Sequence, residues 1–302
     1  AAKKNSWENR FQLFNKLIEK KITNKNLVGF SWKSKFISKY NKFFYTNLTS
    51  FLHIIHYHLT YFFKRLMKKP IIGITMDEEE KPTYSRYPWY AARKNYSESI
   101  QIAGGISIFL PNNLKAIKQY LSIIHGLIVT GGDFDIDPRI YGEKKVNPKV
   151  STKKGRTSFE IRITKQALKN DIPILGLCYG HQLIGKVFGG KVEPLWNDEI
   201  KQGNRIVHLK ESITWGKPKS GHLLYSHQDG ITILPPDFSV LASSDMVAIE
   251  AIASNNKPIW GFQPHLEATN SFVKEHKMGP KGIQESFDFG HRLLDSFLFS
   301  LK

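Results

Sequence analysis

The chain has one cysteine, Cys178, in the run GLCYGHQ (176–182). Gly176 and Gly180 stand two positions before and two positions after it, the spacing of a nucleophile elbow. The run lies where an apolar stretch, 172–178, gives way to a helical pattern from about 180 to 188. A turn that sharp brings residues two apart into contact, so glycine is required on both sides. It lifts the thiol above the carboxyl edge of a sheet, where open α/β sheets place ligands. It also sets the thiol at a helix N-terminus, where main-chain N–H dipoles favour thiolate. A lone cysteine is, by composition alone, a small buried hydrophobe. The paired glycines and the strand-then-helix order favour the nucleophile.

A thiol nucleophile needs a base, and the oxyanion of an acyl intermediate needs donors. Of eleven histidines, His265 stands out. It follows the strand-like run PIWGFQ and precedes Glu267 by one residue, so the carboxylate can orient the imidazole and stabilise its cation. By itself such a pair is usually a solvated loop. The elbow gives this one significance. Main-chain N–H groups of Tyr179, and of Gly131 or Gly132 at the end of GLIVTGG (126–132), are the candidate oxyanion donors, because glycine permits close backbone approach.

These residues require a sheet to carry them. IIGIT (71–75), ISIFLP (106–111), GLIVTGG (126–132) and IPILGLC (172–178) read as strands. Helical patterns occupy 88–103, ending at Gly104-Gly105, then 112–124, 156–170 and about 180–188. Strands alternating with helices predict an α/β domain with a mostly parallel central sheet flanked by helices. Later segments, 203–209, 222–226, 238–243, 247–253 and 258–263, predict a small β-rich addition. Residues 281–300 predict a closing amphipathic helix.

The 302 residues can bury one large core, and 41% hydrophobic with 23% charged residues is an ordinary globular balance. The net charge of +18 is unevenly placed: residues 1–66 hold thirteen Lys or Arg against Glu8 and Glu19. The basicity is therefore no nucleic-acid footprint of the whole chain, and no nucleic-acid partner is expected. The expected division is a basic, aromatic-rich extension over 1–66, helical or disordered, and a catalytic domain over 67–302. Within the extension, Phe43 to Phe63 matches a membrane span in length, but Asn47, three His and three Thr make it a poor one. Three readings stand: an interfacial helix in weak contact with a membrane surface, a helical extension packed on the main domain, or a translated upstream region preceding a start at Met67. No cleavage site of a signal peptide follows the charged stretch. A single cysteine excludes an intrachain disulfide and a cysteine zinc cluster, consistent with a reducing, cytoplasmic setting. GDFDID (132–137) lacks the remaining ligands and terminal Glu of a calcium loop, so no metal is expected.

GLCYGHQLIGKVFGG (176–190) together with GFQPHLE (261–267) resembles the class I glutamine amidotransferases, a flavodoxin-like α/β fold. TGGDFDIDPRIYGE (130–143), KKPIIGIT (68–75), AGGISIFLP (103–111) and SHQDG (226–230) resemble the branch of gamma-glutamyl-GABA hydrolases and other amidotransferase-like peptidases. The resemblance implies Cys178 as nucleophile, His265 as base and Glu267 as orienting acid. Gly132 and Tyr179 would supply oxyanion N–H groups. Gln182, with Gly131, would line the glutamyl pocket, flanked by Ser226, His227 and Gln228. It implies no cofactor, a small-molecule γ-glutamyl substrate and a homodimer. Three departures are evident. Proline precedes the histidine, as Pro264, rather than following it, where Leu266 stands. The nucleophile run reads C-Y-G-H-Q, closer to the ammonia-donating amidotransferases than to the hydrolases. Thr157 follows Arg156 where the branch tends to have Asp, with Glu160 retained.

The expected reaction is thiolate attack on a γ-glutamyl amide, through a γ-glutamyl thioester. The alternatives are a glutaminase subunit that passes ammonia to a separate synthetase, and a catalytically degenerate amidotransferase-like binding protein.

Overall fold

A computed structural model describes residues 69–80, 85–132, 134, 136–137, 139, 151–196, 201–279 and 281–301. All belong to the compact unit Lys68–Lys302. The readings of residues 1–66 lie outside the described residues, as do most of 133–150.

Four short apolar runs make the centre of the sheet: β1 (Ile71–Thr75), β5 (Gly126–Val129), β6 (Ile174–Leu177) and β13 (Ile259–Phe262). With β4 (Ile106–Leu110) at one edge, their order is β4-β1-β5-β6-β13, all parallel. Parallel strands are covered on both faces, which is why these runs are apolar at successive positions rather than alternately. Alternate residues divide between two cores. Ile72, Ile74, Ile128, Leu175 and Leu177 pack with Tyr96 and Ile100 of α1 (Lys94–Ile102), and with Phe289, Leu293 and Phe297 of α6 (Ile283–Phe299). Leu127, Val129 and Ile174 face the other way. They meet Ile117 and Leu121 of α2 (Ile117–Ile123), Phe159 and Ile163 of α3 (Lys154–Lys169), and Leu183 and Ile184 of α4 (Tyr179–Val187). Each buried Leu, Ile or Phe is worth about 1.5–3 kcal/mol of transfer free energy, so this double-sided core dominates stability.

Beyond β13 the same sheet continues antiparallel through β12 (Ala251–Ser254), β11 (Phe238–Ser243), β8 (Lys201–Leu209) and β9 (Lys219–His227). The β-rich part expected from sequence is thus largely an extension of the central sheet. Only β7 (Lys191–Pro194) with β10 (Asp229–Ile233), and β2 (Asp77–Glu79) with β3 (Trp89–Ala91), form separate ribbons among the described residues. The helix expected over 88–103 starts only at Lys94, because Trp89–Ala91 pair with Asp77–Glu79 instead. Likewise 112–124 opens as a 3₁₀ turn over Leu114–Ala116, where the Asn113 side chain accepts from the Lys115 N–H at 3.0 Å. The carboxyl ends of β5, β6 and β13 lie side by side, with Gly131-Gly132, Cys178 and His265 just past them.

Candidate active site

Cys178 connects β6 directly to α4 and has φ 52° and ψ −108°. A side chain in that region costs about 1–3 kcal/mol and persists only where surroundings impose it. They do so here. The Cys178 N–H donates to the Phe262 carbonyl of β13 at 2.8 Å. A Cβ on Gly176 would lie 2.5 Å from the Gly180 carbonyl oxygen, and one on Gly180 only 2.1 Å from the Val129 carbonyl oxygen of β5. Neither main-chain atom can yield. Gly180→Ala should therefore cost about 3 kcal/mol or more, read as a lowered melting temperature or loss of soluble protein. An unchanged melting temperature would contradict the close approach of α4 to β5.

His265 enters from the other side. Its N–H donates to the Leu224 carbonyl of β9 at 2.8 Å, so Pro264 leaves the segment tied to the sheet. Its Nδ1 lies 2.8 Å from Glu267 Oε1, both side chains almost wholly buried. Cys178 and the imidazole both stand against Gly131, close enough for the sulfur to act on the ring electrostatically. Burial works to lower the His265 pKa, but the Glu267 carboxylate, then Cys178, outweigh it and push it up to about 10. Burial likewise acts to raise Glu267, and the charge and hydrogen bond of His265 hold it below the usual carboxylate range. Each charge thus favours the other, as in an imidazolium–carboxylate pair. Phe272 of α5 (Asn270–Glu275) covers the imidazole, ring centroids 4.5 Å apart.

The turn after β5 is locked by two residues not singled out as site residues from sequence. The Gly131 N–H donates to the Tyr96 hydroxyl at 2.7 Å. Arg156, 1% exposed, donates to the Gly131 carbonyl at 2.8 Å and to Thr130, and is itself held by Glu160 at 3.0 Å. In a planar trans peptide N–H points opposite C=O. Arg156 on the Gly131 carbonyl therefore turns the Gly132 N–H the other way. Gly132 lines the cavity, and Gly131, whose N–H is taken by Tyr96, does not, so of the two glycines Gly132 is the better candidate for an oxyanion donor. Thr157, which stands where the hydrolase branch tends to have Asp, is 3.2 Å from the Tyr179 hydroxyl through its Oγ1 and so braces the residue after the nucleophile.

The cavity, about 970 Å³, is lined by Cys178, Tyr179, Gln182, Ser226, His227 and Gln228 among others. Arg93 and Lys94 line it from the start of α1, Arg93 being the residue just before the helix, and Phe272, His276 and Lys277 from α5 and beyond. His227 is fixed as a neutral ring. Its Nδ1 sits 2.9 Å from the Asp229 carbonyl and Arg205 donates to its Nε2 at 2.6 Å. Burial first, then the Arg205 charge, lower its pKa to about 3. Arg205 in turn pairs with Glu250 at 2.6 Å. Every residue expected from sequence thus comes to this one region; Gly131 stands against Cys178 and His265 but does not line the cavity. Gln263, Tyr96, Arg156 and Phe272 join it. Of these, Gln263 and Arg156 stood inside or beside recognisable motifs, while nothing in the local sequence marked Tyr96 or Phe272. Among the described residues no cluster of three or more His, Cys, Asp or Glu side chains is placed to hold a metal ion.

The arrangement can add a sulfur nucleophile to a carbonyl, stabilise the oxyanion and return a proton to the leaving group. Comparison with known proteins gives the family and the fold. The family model for Peptidase C26 matches residues 70–267. A glutamine amidotransferase-like protein of Rickettsia prowazekii is 40% identical over 149 residues, 48% of this chain and 53% of that protein. A glutamine-hydrolysing GMP synthase subunit of Methanococcus maripaludis is 36% identical over 105 residues, 35% of this chain and 56% of the subunit. The chain spans about half the length of each of these two relatives. The crystal structure of a glutamine amidotransferase from Thermotoga maritima superposes with a TM-score of 0.54 at 15% identity, covering 78% of this chain and 98% of that one. This likeness establishes the fold.

Proposed function

The chain belongs to the Peptidase C26 family, among the class I glutamine amidotransferase-like proteins, and from that premise we propose that it hydrolyses a γ-glutamyl amide through a thioester on Cys178. The substrate is glutamine or a γ-glutamyl amine, and the working unit is residues 67–302. One observation carries the reading: a cysteine on a strained turn meets a buried imidazole–carboxylate pair beside a glycine turn whose peptide orientation is fixed.

In the first half-reaction Cys178 Sγ attacks the amide carbon as its proton resides on His265. The oxyanion takes N–H bonds from Gly132 and Tyr179. His265 then protonates the nitrogen, the C–N bond breaks and ammonia or an amine leaves. In the second, His265 takes a proton from water, the hydroxide adds to the thioester carbonyl, and sulfur departs with glutamate as product. Gln182, Ser226, His227 and Gln228 form the wall against which the glutamyl group lies. No step calls for a cofactor.

The experiment is release of ammonia or amine by the full chain from glutamine and a panel of γ-glutamyl amines. Preferential release of one amine identifies a hydrolase of that amide. Turnover of none of them by folded protein sinks the hydrolase reading. A second reading is a glutaminase subunit delivering ammonia to a separate synthetase, favoured by C-Y-G-H-Q and by the similarity to a GMP synthase subunit. It predicts weak glutamine turnover by the isolated chain that rises when the synthetase is added.

Arg156→Met should lower kcat by about 10²-fold, the usual cost of losing one oxyanion donor, without abolishing alkylation of Cys178. Equal kcat in variant and wild type would remove Arg156 from the account.

A further inference from the structure

We propose that Gln263 is a further catalytic residue, whose side-chain amide donates a hydrogen bond to the Cys178 sulfur and holds it ready as thiolate. Gln263 is fully buried, directly after β13, with its main-chain N–H on the Glu250 carbonyl at 2.7 Å. Its Nε2 lies 3.7 Å from Cys178 Sγ. Its Oε1 accepts from Gln182 Nε2 at 3.2 Å, and that same Gln182 Nε2 donates to the Asp229 carbonyl at 2.9 Å.

That chain fixes which end of each amide faces which neighbour. A main-chain carbonyl only accepts, so Gln182 must present its NH₂ to Asp229. The second hydrogen of that NH₂ goes to Gln263, which must therefore offer its oxygen there and its own NH₂ to sulfur. On the far side the thiol sits 3.8 Å from the Ser226 carbonyl, to which S–H can donate. When the thiol ionises that contact loses its hydrogen and sets a carbonyl oxygen against an anion. The Gln263 N–H contact gains instead, because hydrogen bonds to charged groups are the stronger ones. His265 also acts on the sulfur through its charge, and in the proposed reaction it surrenders its proton during each turnover. An amide does not titrate, so Gln263 keeps a donor on the sulfur when it attacks and again when it is expelled from the thioester.

The titratable and charged groups around the sulfur are His265 with Glu267 behind it, Tyr96 from α1 and Arg93 just before it, Tyr179 and His181 from α4, His227 backed by Arg205, and Arg156 behind the glycine turn. None of them is changed in the variants below. The inference requires Cys178 to be the thiol of this site and is independent of which amide the site cleaves.

The test is the rate of iodoacetamide alkylation against pH, for the full chain and for Gln263→Leu and Gln263→Glu. The only thiol in the sequence is Cys178, so the label is unambiguous, and no substrate is needed. Circular dichroism and melting temperature verify the fold. The midpoint of the profile should rise by about one pH unit in Gln263→Leu, with the rate on the acid side of the midpoint falling about tenfold. In Gln263→Glu it should rise further, because a carboxylate oxygen replaces the donor. A purely structural role would make any change follow the loss of melting temperature rather than this ranking. Profiles superimposable on the wild type would overturn the proposal. Should Gln263→Leu fail to fold, Gln263→Glu decides alone: it keeps the shape and still accepts from Gln182, and an unshifted profile overturns the idea.

Discussion

Cys178→Ala is expected to lower turnover of glutamine and of every γ-glutamyl amine by about 10⁴- to 10⁶-fold, the range seen when a triad nucleophile is removed. The expectation follows from what surrounds the sulfur. The main chain at Cys178 is held by the Phe262 carbonyl and by the two glycine contacts, none of which involves the side chain. Alanine therefore leaves the elbow, the glycine turn and the His265–Glu267 pair in place, and the melting temperature should stay near that of the wild type. What disappears is the atom that attacks. Turnover by the alanine variant at a rate comparable to wild type would mean that water, or another group, attacks directly, and the covalent route would be wrong.

Glu267→Gln is the second large effect, about 10³- to 10⁴-fold in kcat. Glutamine keeps the size of the side chain but removes the charge 2.8 Å from His265 Nδ1. Without it, burial of the imidazole is opposed less, and the cation that must protonate the leaving nitrogen is lost at neutral pH. The same substitution has a signature in stability. His265 is raised from 6.5 to about 10 in the folded chain, so its contribution is fully present below about pH 6.5 and lost as pH rises through about 10. Glu267 is lowered from 4.5, so its contribution is present above about pH 4.5 and lost as pH falls below it. The melting-temperature difference between wild type and Glu267→Gln should thus be widest between about pH 4.5 and 6.5 and shrink towards pH 10. A difference that is flat across this range would mean the pair is not charged in the folded state.

The parts of this site that were legible in the sequence are those whose causes are local. The elbow is written in the spacing of Gly176, Cys178 and Gly180, because the clash it avoids is between residues near in sequence. Parallel strands such as ILGL and IWGF are legible because burial on both faces leaves no polar position. His265 and Glu267 were legible as a pair once the elbow supplied a reason for them. Other parts depend on pairings between distant residues. That β12, β11, β8 and β9 continue the central sheet is set by registers such as Lys201 opposite His227, which no single segment encodes. Trp89–Ala91 resembled the start of a helix until Asp77–Glu79 paired with it. Arg156 stood beside the departure at Thr157, but nothing in that run shows that it is 1% exposed and holds the Gly131 carbonyl. Tyr96 lies in an amphipathic helix with no motif, and only the fold brings its hydroxyl to Gly131. Gln263 was visible as a letter in a motif, but its contact with sulfur is set by Gln182 and the Asp229 carbonyl, both remote from it in the chain.

The central claim is that Cys178 attacks the carbonyl carbon of a γ-glutamyl group. A diazoketone analogue of glutamine has the same acyl end and converts the attacking atom to a stable thioether. Intact-mass and peptide mapping of the treated full chain should find one label per chain, on Cys178, with protection by excess glutamine or by the preferred γ-glutamyl amine. A folded protein that turns over a γ-glutamyl amide yet carries the label on another residue, or on none, would contradict the account.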